Sequence, residues 1–370
     1  MDKTDINRII LIGNGFDLSH DLKTSYKDFI DNFWEQKNAI FIKSYKNSGL
    51  KEFSNNFIRT SSGYKYEDSD FIFEIPLDNF HFDLDRFDQN LIGYNKLCTL
   101  ASHLGSNIKI KNSFLEKISK KQLINWVDIE EEYYSSLLEC LVYPIEKIKK
   151  LNNEFEAIKK ALEDYLNKEV KREIIKYSYA EYIFYSLLSQ DDFIIDVNET
   201  DGLKNILYLN FNYTPTLNMY IKEDIPTRII NIHGILNSED NPIIFGYGDE
   251  IDEKYKDIEK EKNDFLKNIK SINYSQNNNY RNMLRYIDSG AFQVFIVGHS
   301  CGLSDRTLLN TIFEHENCKS IKIFYYKDKD GYDNYNDTYM NLSRNFKNKQ
   351  KMREIVISKE STFPYYSALV

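Results

Sequence analysis

The sequence predicts an α/β fold in which a parallel, doubly wound sheet carries a large and mostly helical insertion. Apolar runs of strand length lie near both ends of the chain, and helical patterns separate several of them. Residues 13–205 separate the first apolar run from the second. An ordinary crossover between parallel strands needs only about a dozen residues or somewhat more, so this gap must hold an insertion.

The first predicted strand, Ile9–Ile12, ends in the sequence Gly13-Asn14-Gly15. Two glycines after a buried strand and before a helix are typical of phosphate-binding turns, because glycines let backbone N–H groups approach an anion. Leu18 stands where the third glycine of the dinucleotide fingerprint would be. The pattern therefore leaves two alternatives open, a mere tight turn and a phosphate-binding turn.

The other predicted strands lie in the second half of the chain, and the helical patterns between them favour right-handed crossovers. The strands are Ile206–Phe211, Thr227–Ile232, Pro242–Phe245, Ala291–Val297 and Ser320–Tyr326. The helical patterns are Ile251–Ser271, Tyr280–Ile287 and Ser304–Glu316. We expect residues 1–30 and 200–330 to form the sheet core, and residues 331–370 to form a C-terminal helix and an extended segment.

Residues 31–199 are predicted to form the mostly helical insertion or lid. The helical patterns in and beside it are Ser25–Trp34, Leu91–Leu104, Asp128–Tyr165 and Tyr177–Leu188. The acidic and aromatic segment Ser61–Asp88 has no clear period and is predicted to be irregular. Asp128 with Glu131 matches a capping box, and the alternative is that Asp128 or Glu130 closes over a ligand.

Composition excludes several classes of protein. A formal net charge of −9 argues against a nucleic-acid partner, since phosphate binding needs clustered Lys and Arg. No apolar stretch approaches the ~20 residues of a membrane span, and the N-terminus lacks the regions of a signal peptide. The four cysteines form no C-x-x-C pair. The expectation is a reduced, cytoplasmic protein with no metal site and no membrane contact.

Polar residues follow two of the later strands. Asn212 follows Ile206–Phe211 and comes shortly before Pro215, so it is either a helix N-cap or a ligand contact. His233 follows Thr227–Ile232, at the strand end that points into the ligand crevice of open α/β sheets. A structural hydrogen-bonding role for His233 is the alternative. The glycine-rich turn of residues 245–249 is predicted to be a loop between a strand and a helix.

A G-x-S-x-G pattern follows the strand Ala291–Val297, which is the setting of a nucleophile elbow. The only histidine after Ser300 is His315, at the far end of the helix that this turn would begin. That helix would place it ~22 Å away, so a Ser–His triad is excluded. Gly298, Ser300 and Asp305 are therefore predicted to form a second ligand-contacting turn.

Taken in order, these blocks resemble the AbiH family of bacterial phage abortive-infection proteins. The resemblance is carried by Ile12–His20, Thr24–Phe29, Trp126–Glu130, Asn210–Thr214, Ile232–Gly234, Phe245–Asp249 and Val297–Asp305. The combination is specific, although each block alone is weak. Asp21 departs from the family pattern, which usually has glycine after the histidine. Asp tolerates unusual backbone angles better than most residues, so no change of fold is expected.

The same order of features is more distantly similar to the sirtuin-like superfamily, in which such turns surround NAD. The corresponding residues are Gly13, Gly15, Asn212, Tyr213, His233, Gly234, Gly298 and Ser300. This resemblance implies a Rossmann-like sheet and cleavage of the nicotinamide–ribose bond by the asparagine and the histidine. Thr214 departs from it, because Asp is often found there, and the zinc-binding cysteine pairs of deacylases are absent from the sequence.

Together the resemblances imply a phage-defence enzyme, an NAD glycohydrolase that takes NAD as its substrate and uses no prosthetic group. Asn212 would be catalytic by orienting the ribose and a water molecule, and His233 by accepting a proton. The nucleotide contacts would come from Gly13, Asn14, Gly15, Phe16, Asp17, Gly298, Ser300 and Asp305. The alternative is a non-catalytic nucleotide-binding sensor or interaction module. A phage protein as trigger and a homo-oligomer are compatible with either hypothesis.

Overall fold

The computed structural model describes residues 6–48, 56–79, 91–121, 125–172, 174–194, 203–223 and 225–367. The chain divides into two compact units. Unit 1 comprises Met1–Thr24, Tyr133–Ile148 and Glu163–Val370, and unit 2 comprises Ser25–Glu132 and Lys149–Leu162.

Unit 1 is built on a parallel sheet, which has six strands within the described residues. The strands are β1 (Ile6–Ile12), β6 (Leu203–Asn210), β7 (Thr227–Asn231), β8 (Phe292–Val297), β9 (Cys318–Lys327) and β10 (Pro364–Ser367). They lie side by side in the order β10-β9-β8-β1-β6-β7, and every neighbouring pair is parallel. Numbered along the chain within this sheet, the order is 3-2-1-4-5-6, as in classic doubly wound sheets. The predicted parallel α/β fold is confirmed.

The sheet is covered on both faces, as expected for a parallel sheet with near-continuous apolar strands. All seven residues of β1 and all six of β8 are buried. Successive side chains of a strand point to opposite faces. Accordingly, Ile9 and Leu11 belong to one apolar core, whereas Ile10 and Ile12 belong to another. The unbroken apolar run that predicted the first strand therefore reflects burial on two sides.

The helices that belong wholly to unit 1 connect these strands or follow them. They are α1 (Asn14–Leu18), α7 (Ser178–Phe184), α8 (Tyr255–Glu259), α9 (Lys270–Asn273), α10 (Asn279–Asp288), α11 (Arg306–Phe313), α12 (Tyr335–Asn345) and α13 (Lys349–Ile355). Helices α5 (Trp126–Glu139) and α6 (Ile145–Glu169) contribute residues to both units. None of the described helices combines the length and apolar character needed to cross a membrane.

Unit 2 contains helices and a small antiparallel sheet. Its elements are α2 (Tyr26–Ser48), β2 (Phe57–Arg59), β3 (Gly63–Glu67), β4 (Phe71–Pro76), α3 (Gly93–His103), β5 (Asn107–Ile110) and α4 (Ser113–Lys120). The strands lie in the order β2-β3-β4-β5. Helices α2 to α7 still make up most of the described chain between β1 and β6, so the predicted mostly helical insertion is confirmed.

The prediction that Ser61–Asp88 is irregular is wrong for residues 63–76, which form β3 and β4. In β4 the side chains of Phe71, Phe73 and Ile75 are buried and the residues between them are more exposed, which is the two-residue period of a strand. Half-buried Ile72 and exposed Pro76 obscure this period in the sequence, because they are apolar too. Residues 80–88 of the segment lie outside the described residues.

Other predicted elements also differ from the structure. Pro242–Phe245 is an irregular segment in which Ile243, Ile244 and Phe245 are buried, and the Ile244 N–H donates to the His233 carbonyl at 2.7 Å, so the predicted strand is wrong. Apolar burial alone does not distinguish a strand from a buried loop. Most of Ile251–Ser271 forms turns and short helices, because Asp, Lys and Asn there favour local caps over a continuous helix. Asp128–Tyr165 is divided between α5 and α6 by a 3₁₀ turn and Pro144.

Two local predictions concern backbone geometry. The Asp128 carboxylate accepts a hydrogen bond from the Asn125 N–H at 2.9 Å, so Asp128 does serve the start of α5, but as the third helical residue instead of as the N-cap. Asp21 has a φ of 59°, in the left-handed region that favours glycine. Asp21 therefore adopts a backbone conformation that glycine would adopt readily, as expected for an Asp at a position where the resemblance implies glycine.

Candidate functional site

The carboxyl ends of four neighbouring strands bring the predicted site residues to one edge of the sheet. Ile12 at the end of β1 is in register with Asn210 of β6 and with Val297 of β8. Asn210 is in register with Asn231 of β7. The segments that follow these strands carry Gly13 to Asp17, Asn212, His233 and Gly298 to Asp305. These segments therefore begin at the same edge, where open α/β sheets bind their ligands.

The turns after β1 and β8 pack directly against each other. Gly15 N–H donates to the Gly298 carbonyl at 2.8 Å, and Gly13 N–H donates to the Val297 carbonyl at 3.1 Å. A Cβ on Gly13 would lie 2.5 Å from the His299 Cα, so no larger residue fits without a shift. The glycines thus serve close backbone packing. Because the N–H of Phe16 also donates within the protein, to the Gly13 carbonyl, phosphate binding by these groups stays a prediction that requires some rearrangement.

Asn212 ties the turn after β6 to the turn after β1. Its Nδ2 donates to the Gly13 carbonyl at 3.0 Å, and its own N–H donates to the Asn210 side chain at 3.1 Å. The next regular element is the 3₁₀ helix Thr216–Tyr220, whose N-cap is Pro215. Asn212 is therefore not a helix cap, and the alternative of a ligand-facing role at the sheet edge is retained.

Asn14, Phe16 and Asp17 of the first turn have different surroundings. The Asn14 side chain accepts a hydrogen bond from the Thr24 hydroxyl at 2.6 Å. The Phe16 ring is fully buried and packs against Phe184 in the apolar core, so it anchors the turn after β1 to that core. Asp17 is buried as well, and its Oδ2 accepts a hydrogen bond from Thr214 at 2.6 Å, while its Oδ1 has no hydrogen-bond partner among the described residues.

The buried Asp17 carboxyl has an unusual charge balance. Burial raises its pKa from 3.8 to about 6, although hydrogen bonds from Thr214, Thr216 and Asn212 act in the opposite direction. A carboxyl with a raised folded-state pKa binds its proton more tightly in the folded protein than in the unfolded chain. Its ionisation therefore lowers stability as the pH rises towards the folded pKa. A buried carboxyl whose ionisation lowers the stability of the fold, and which lies beside Asn212, makes Asp17 a candidate functional residue.

Replacing Asp17 with Asn should flatten the dependence of stability on pH. Between pH 4 and 7 the wild type should lose about 3 kcal/mol more than the variant, because each unit of pKa shift corresponds to about 1.4 kcal/mol. Urea unfolding followed by far-UV circular dichroism at several pH values measures this difference. Equal pH slopes for the two proteins would contradict the assignment to Asp17.

A buried cluster of charged and titratable groups lies beside these turns, and we call Lys270, His233, His299 and Asp305 the Asp305 cluster. His233 Nε2 lies 3.0 Å from Asp305 Oδ1 and 3.2 Å from the Tyr274 hydroxyl. Lys270 Nζ donates to the same Oδ1 at 2.9 Å. His299 Nε2 lies 3.7 Å from Asp305 Oδ2. One carboxylate thus faces one lysine and two histidines.

Burial determines the charges in the Asp305 cluster. It lowers the pKa of His233, and Lys270 acts in the same direction, whereas Asp305 and the Phe211 backbone oppose it. It also lowers the pKa of His299 to about 4. Burial alone would raise the pKa of Asp305, but Lys270 and His233 outweigh it and hold the pKa well below its usual range. At neutral pH the cluster therefore contains one carboxylate, one ammonium and two neutral imidazoles.

This charge balance limits what the cluster can hold. The Lys270 ammonium already compensates the Asp305 carboxylate. A metal cation bound there would therefore add a positive charge for which the cluster has no second carboxylate. Within the part of the chain that the structure describes, no three His, Cys, Asp or Glu side chains form a group suited to a metal ion. With Asp305 ionised, His233 donates its Nε2–H to the carboxylate, so a further proton would go to Nδ1, where a hydrogen bond to the Phe211 backbone would favour it.

The structure separates Ser300 from the Asp305 cluster. Ser300 is exposed, and its carbonyl accepts a hydrogen bond from Asn341 at 3.0 Å. The residue with a strained backbone is Cys301, with φ 55°, whereas a nucleophile elbow strains the serine itself. His315 Nε2 lies 3.1 Å from Asp288. These positions agree with the exclusion of a Ser–His triad, and a nucleotide contact by Ser300 stays a prediction.

Sequence reasoning missed Lys270, His299 and Tyr274. His299 stands at a variable position of the G-x-S-x-G block, and this pattern singles out Ser300 and not the histidine. Lys270 looks like one of many solvated lysines, and nothing in the sequence marks it as only 1% exposed.

Comparisons with known proteins now place the chain. The family model described as Bacteriophage abortive infection AbiH matches residues 9–327, which includes β1, β6, β7, β8 and nearly all of the site described above. No curated protein matches the chain. A match over most of the chain establishes membership and with it the defence role of the family. The protein therefore belongs to the AbiH family of bacteriophage abortive-infection proteins.

Proposed function

We propose that this protein is an enzyme of phage defence that binds a nucleotide and hydrolyses NAD to nicotinamide and ADP-ribose. The observation that carries the proposal is the position of His233, which is buried, neutral and bound to Asp305 at 3.0 Å, at the same sheet edge as Asn212. A neutral histidine oriented by a carboxylate is suited to general base catalysis. The edge itself is the ligand-binding edge of doubly wound sheets.

The reaction requires little from the protein besides orientation and one proton transfer. The bond between ribose C1′ and the nicotinamide nitrogen breaks, and its electron pair neutralises the pyridinium, so nicotinamide leaves as a neutral molecule. A water oxygen forms the new bond to C1′, and His233 accepts the proton that this water loses. In this proposal Asn212 orients the ribose and the water, so that the water is held near C1′.

The buried charges of the site fit an intermediate with positive character. The ribose passes through an oxocarbenium-like state, and negative groups placed nearby in a water-poor site stabilise such charge. Asp17 and Asp305 supply the carboxyl groups in this proposal. Asp17 would contact the ribose through Oδ1, which has no hydrogen-bond partner among the described residues. Gly13, Asn14, Gly15, Phe16, Gly298 and Ser300 complete the proposed nucleotide site as side-chain or backbone contacts.

The test follows cellular NAD during phage infection. Cells that express the wild-type protein should lose most of their NAD after infection, whereas cells that express Asn212→Ala should keep it, with both proteins present at equal levels. Measurement in infected cells is preferred, because a defence enzyme can be silent until it is triggered. The matched control is Asn317→Ala, which removes another side-chain amide that donates to a backbone carbonyl, that of Ile287 at 2.9 Å, outside the proposed site.

The outcomes separate the proposal from its alternative. Loss of NAD with the wild type and Asn317→Ala, but not with Asn212→Ala, would support hydrolysis. Phage protection with no change in NAD would overturn it and favour a nucleotide-binding sensor without catalysis. In that second case, nucleotide binding by the purified protein would then be measured directly.

A further inference from the structure

Lys270 is the most deeply buried charged side chain of the site, and its position is set by the glycine-rich turn of residues 245–249. Its N–H donates to the Tyr247 carbonyl at 2.9 Å, and the Tyr247 N–H donates to the Asn268 carbonyl at 3.2 Å. These two bonds hold the segment before α9 against the turn. The lysine therefore enters the core from a fixed backbone and not from a mobile loop.

The two glycines of this turn permit the close approach. A Cβ on Gly246 would lie 2.0 Å from the Asn268 carbonyl oxygen, and a Cβ on Gly248 would lie 2.8 Å from the Ser304 carbonyl oxygen. The same Gly248 Cβ would lie 3.2 Å from the Cβ of Lys270. Both glycines thus bring the lysine segment and the segment before Asp305 together.

The turn also holds the start of α11. The Gly248 carbonyl accepts a hydrogen bond from the Thr307 N–H at 3.1 Å, and Asp249 accepts one from Arg306 Nη1 at 3.1 Å. Arg306 and Thr307 directly follow Asp305 in the chain. One turn therefore fixes both the donor, Lys270, and the acceptor, Asp305, of the central ion pair.

We propose that Lys270 is a positioning residue of the site, held by the turn of residues 245–249, whose ammonium fixes Asp305 between His233 and His299 and, together with burial, disfavours protonation of the two imidazoles. The part of this proposal that concerns catalysis rests on the proposed function, because it assigns Lys270 the task of preparing His233 as a base. Lys270 also lies 3.4 Å from the Ser304 hydroxyl, so two groups before α11 orient it.

The reason lies in the charge balance of a closed environment. The ammonium compensates the carboxylate at 2.9 Å, so protonation of either histidine would leave a net positive charge in the core. Among the described residues, the polar groups that face the two imidazoles are Asp305, Lys270 and the Tyr274 hydroxyl. The centroid of the Phe211 ring lies 5.0 Å from that of His233 and 4.1 Å from that of His299. Without the ammonium, the carboxylate would instead favour protonated histidine.

Titration of the histidine rings by NMR tests the proposal without any substrate. The protein is labelled with ¹³C at its six histidines, and the signals of His233 and His299 are assigned from His233→Gln and His299→Gln. In the wild type both rings should titrate below 6.5. In Lys270→Met at least one of them should titrate about 1 unit higher or more, the shift expected when a nearby charge is removed. Lys270→Arg should restore the low values.

A matched control separates this effect from the general loss of a buried lysine. Lys322 is also largely buried and donates to Asp192 at 2.9 Å, so Lys322→Met removes a similar ion pair elsewhere in unit 1. This variant should leave both titrations unchanged. A wild-type value of 6.5 or higher for both rings, or an unchanged titration in folded Lys270→Met, would overturn the proposal.

If Lys270→Met does not fold, Lys270→Gln, whose amide is polar but uncharged, gives the same comparison, because burial also lowers the pKa of both histidines in the wild type. The outcome is also independent of the proposed function. Titrations that respond as expected in a protein that spares NAD would leave the positioning role standing and remove only its link to NAD hydrolysis. Titrations that do not respond, in a protein that consumes NAD, would overturn only the role of Lys270.

Discussion

Replacing Asp305 with Ala is expected to destabilise unit 1 by about 3–5 kcal/mol, the cost of removing one partner from a buried ion pair. The substitution would leave the Lys270 ammonium, which is 1% exposed, without its carboxylate. It would also remove the group that His233 and His299 face. Urea unfolding should be followed by far-UV circular dichroism, because both tryptophans, Trp34 and Trp126, belong to unit 2.

The matched control for this substitution is Asp288→Ala. Asp288 also contacts a histidine, His315, at 3.1 Å, but its side chain is 72% exposed, so its removal should change stability by about 1 kcal/mol or less. The double variant Lys270→Met/Asp305→Ala should recover part of the lost stability, because it removes both members of the buried ion pair. Equal effects of Asp305→Ala and Asp288→Ala would contradict the importance of burial at this site.

Much of the sheet can be predicted from the sequence because its strands are buried on both faces. The runs that predict β1, β6, β7, β8 and β9 are rich in apolar residues, although residues such as Arg228, Gln293 and Lys322 interrupt some of them, and the structure confirms all five. The prediction fails where burial and secondary structure are not linked in this way. The residues Pro242–Phe245 are as apolar as a strand, but they form an irregular segment in which Ile243 to Phe245 are buried. Strand β4 is the opposite case, because apolar residues also stand at its less buried positions and hide the two-residue period.

The candidate site is predicted only in part, for a different physical reason. Residues that directly follow a strand, such as Asn212 and His233, are placed by the parallel register alone, which brings strand ends to one edge. Lys270 reaches the site through a turn packed against residues distant in sequence, and sequence periodicity carries no information about such contacts. The G-x-G turn shows the same limit, since its backbone packing against Gly298 depends on a strand nearly 300 residues away.

Replacing His233 with Gln is expected to abolish phage protection. The glutamine amide can still donate a hydrogen bond to Asp305, so the cluster should remain folded, but an amide cannot accept the proton from water as a neutral imidazole can. Loss of a general base lowers rates by about 100-fold to 10,000-fold, so NAD should persist through infection. Plaque counts and cellular NAD, measured at equal protein levels, give the two readouts.

His315→Gln is the control, because His315 also contacts an aspartate but lies outside the proposed site. It should protect cells as the wild type does. Full protection by His233→Gln would argue against catalysis at this edge, since a sensor needs the shape of the site and not the basicity of one ring. If His233→Gln loses protection but the wild type also leaves NAD unchanged during infection, the result would point to the same edge but to a different nucleotide, because the position of His233 near Asn212 does not itself select the leaving group. The comparison therefore tests the chemistry and the identity of the substrate separately.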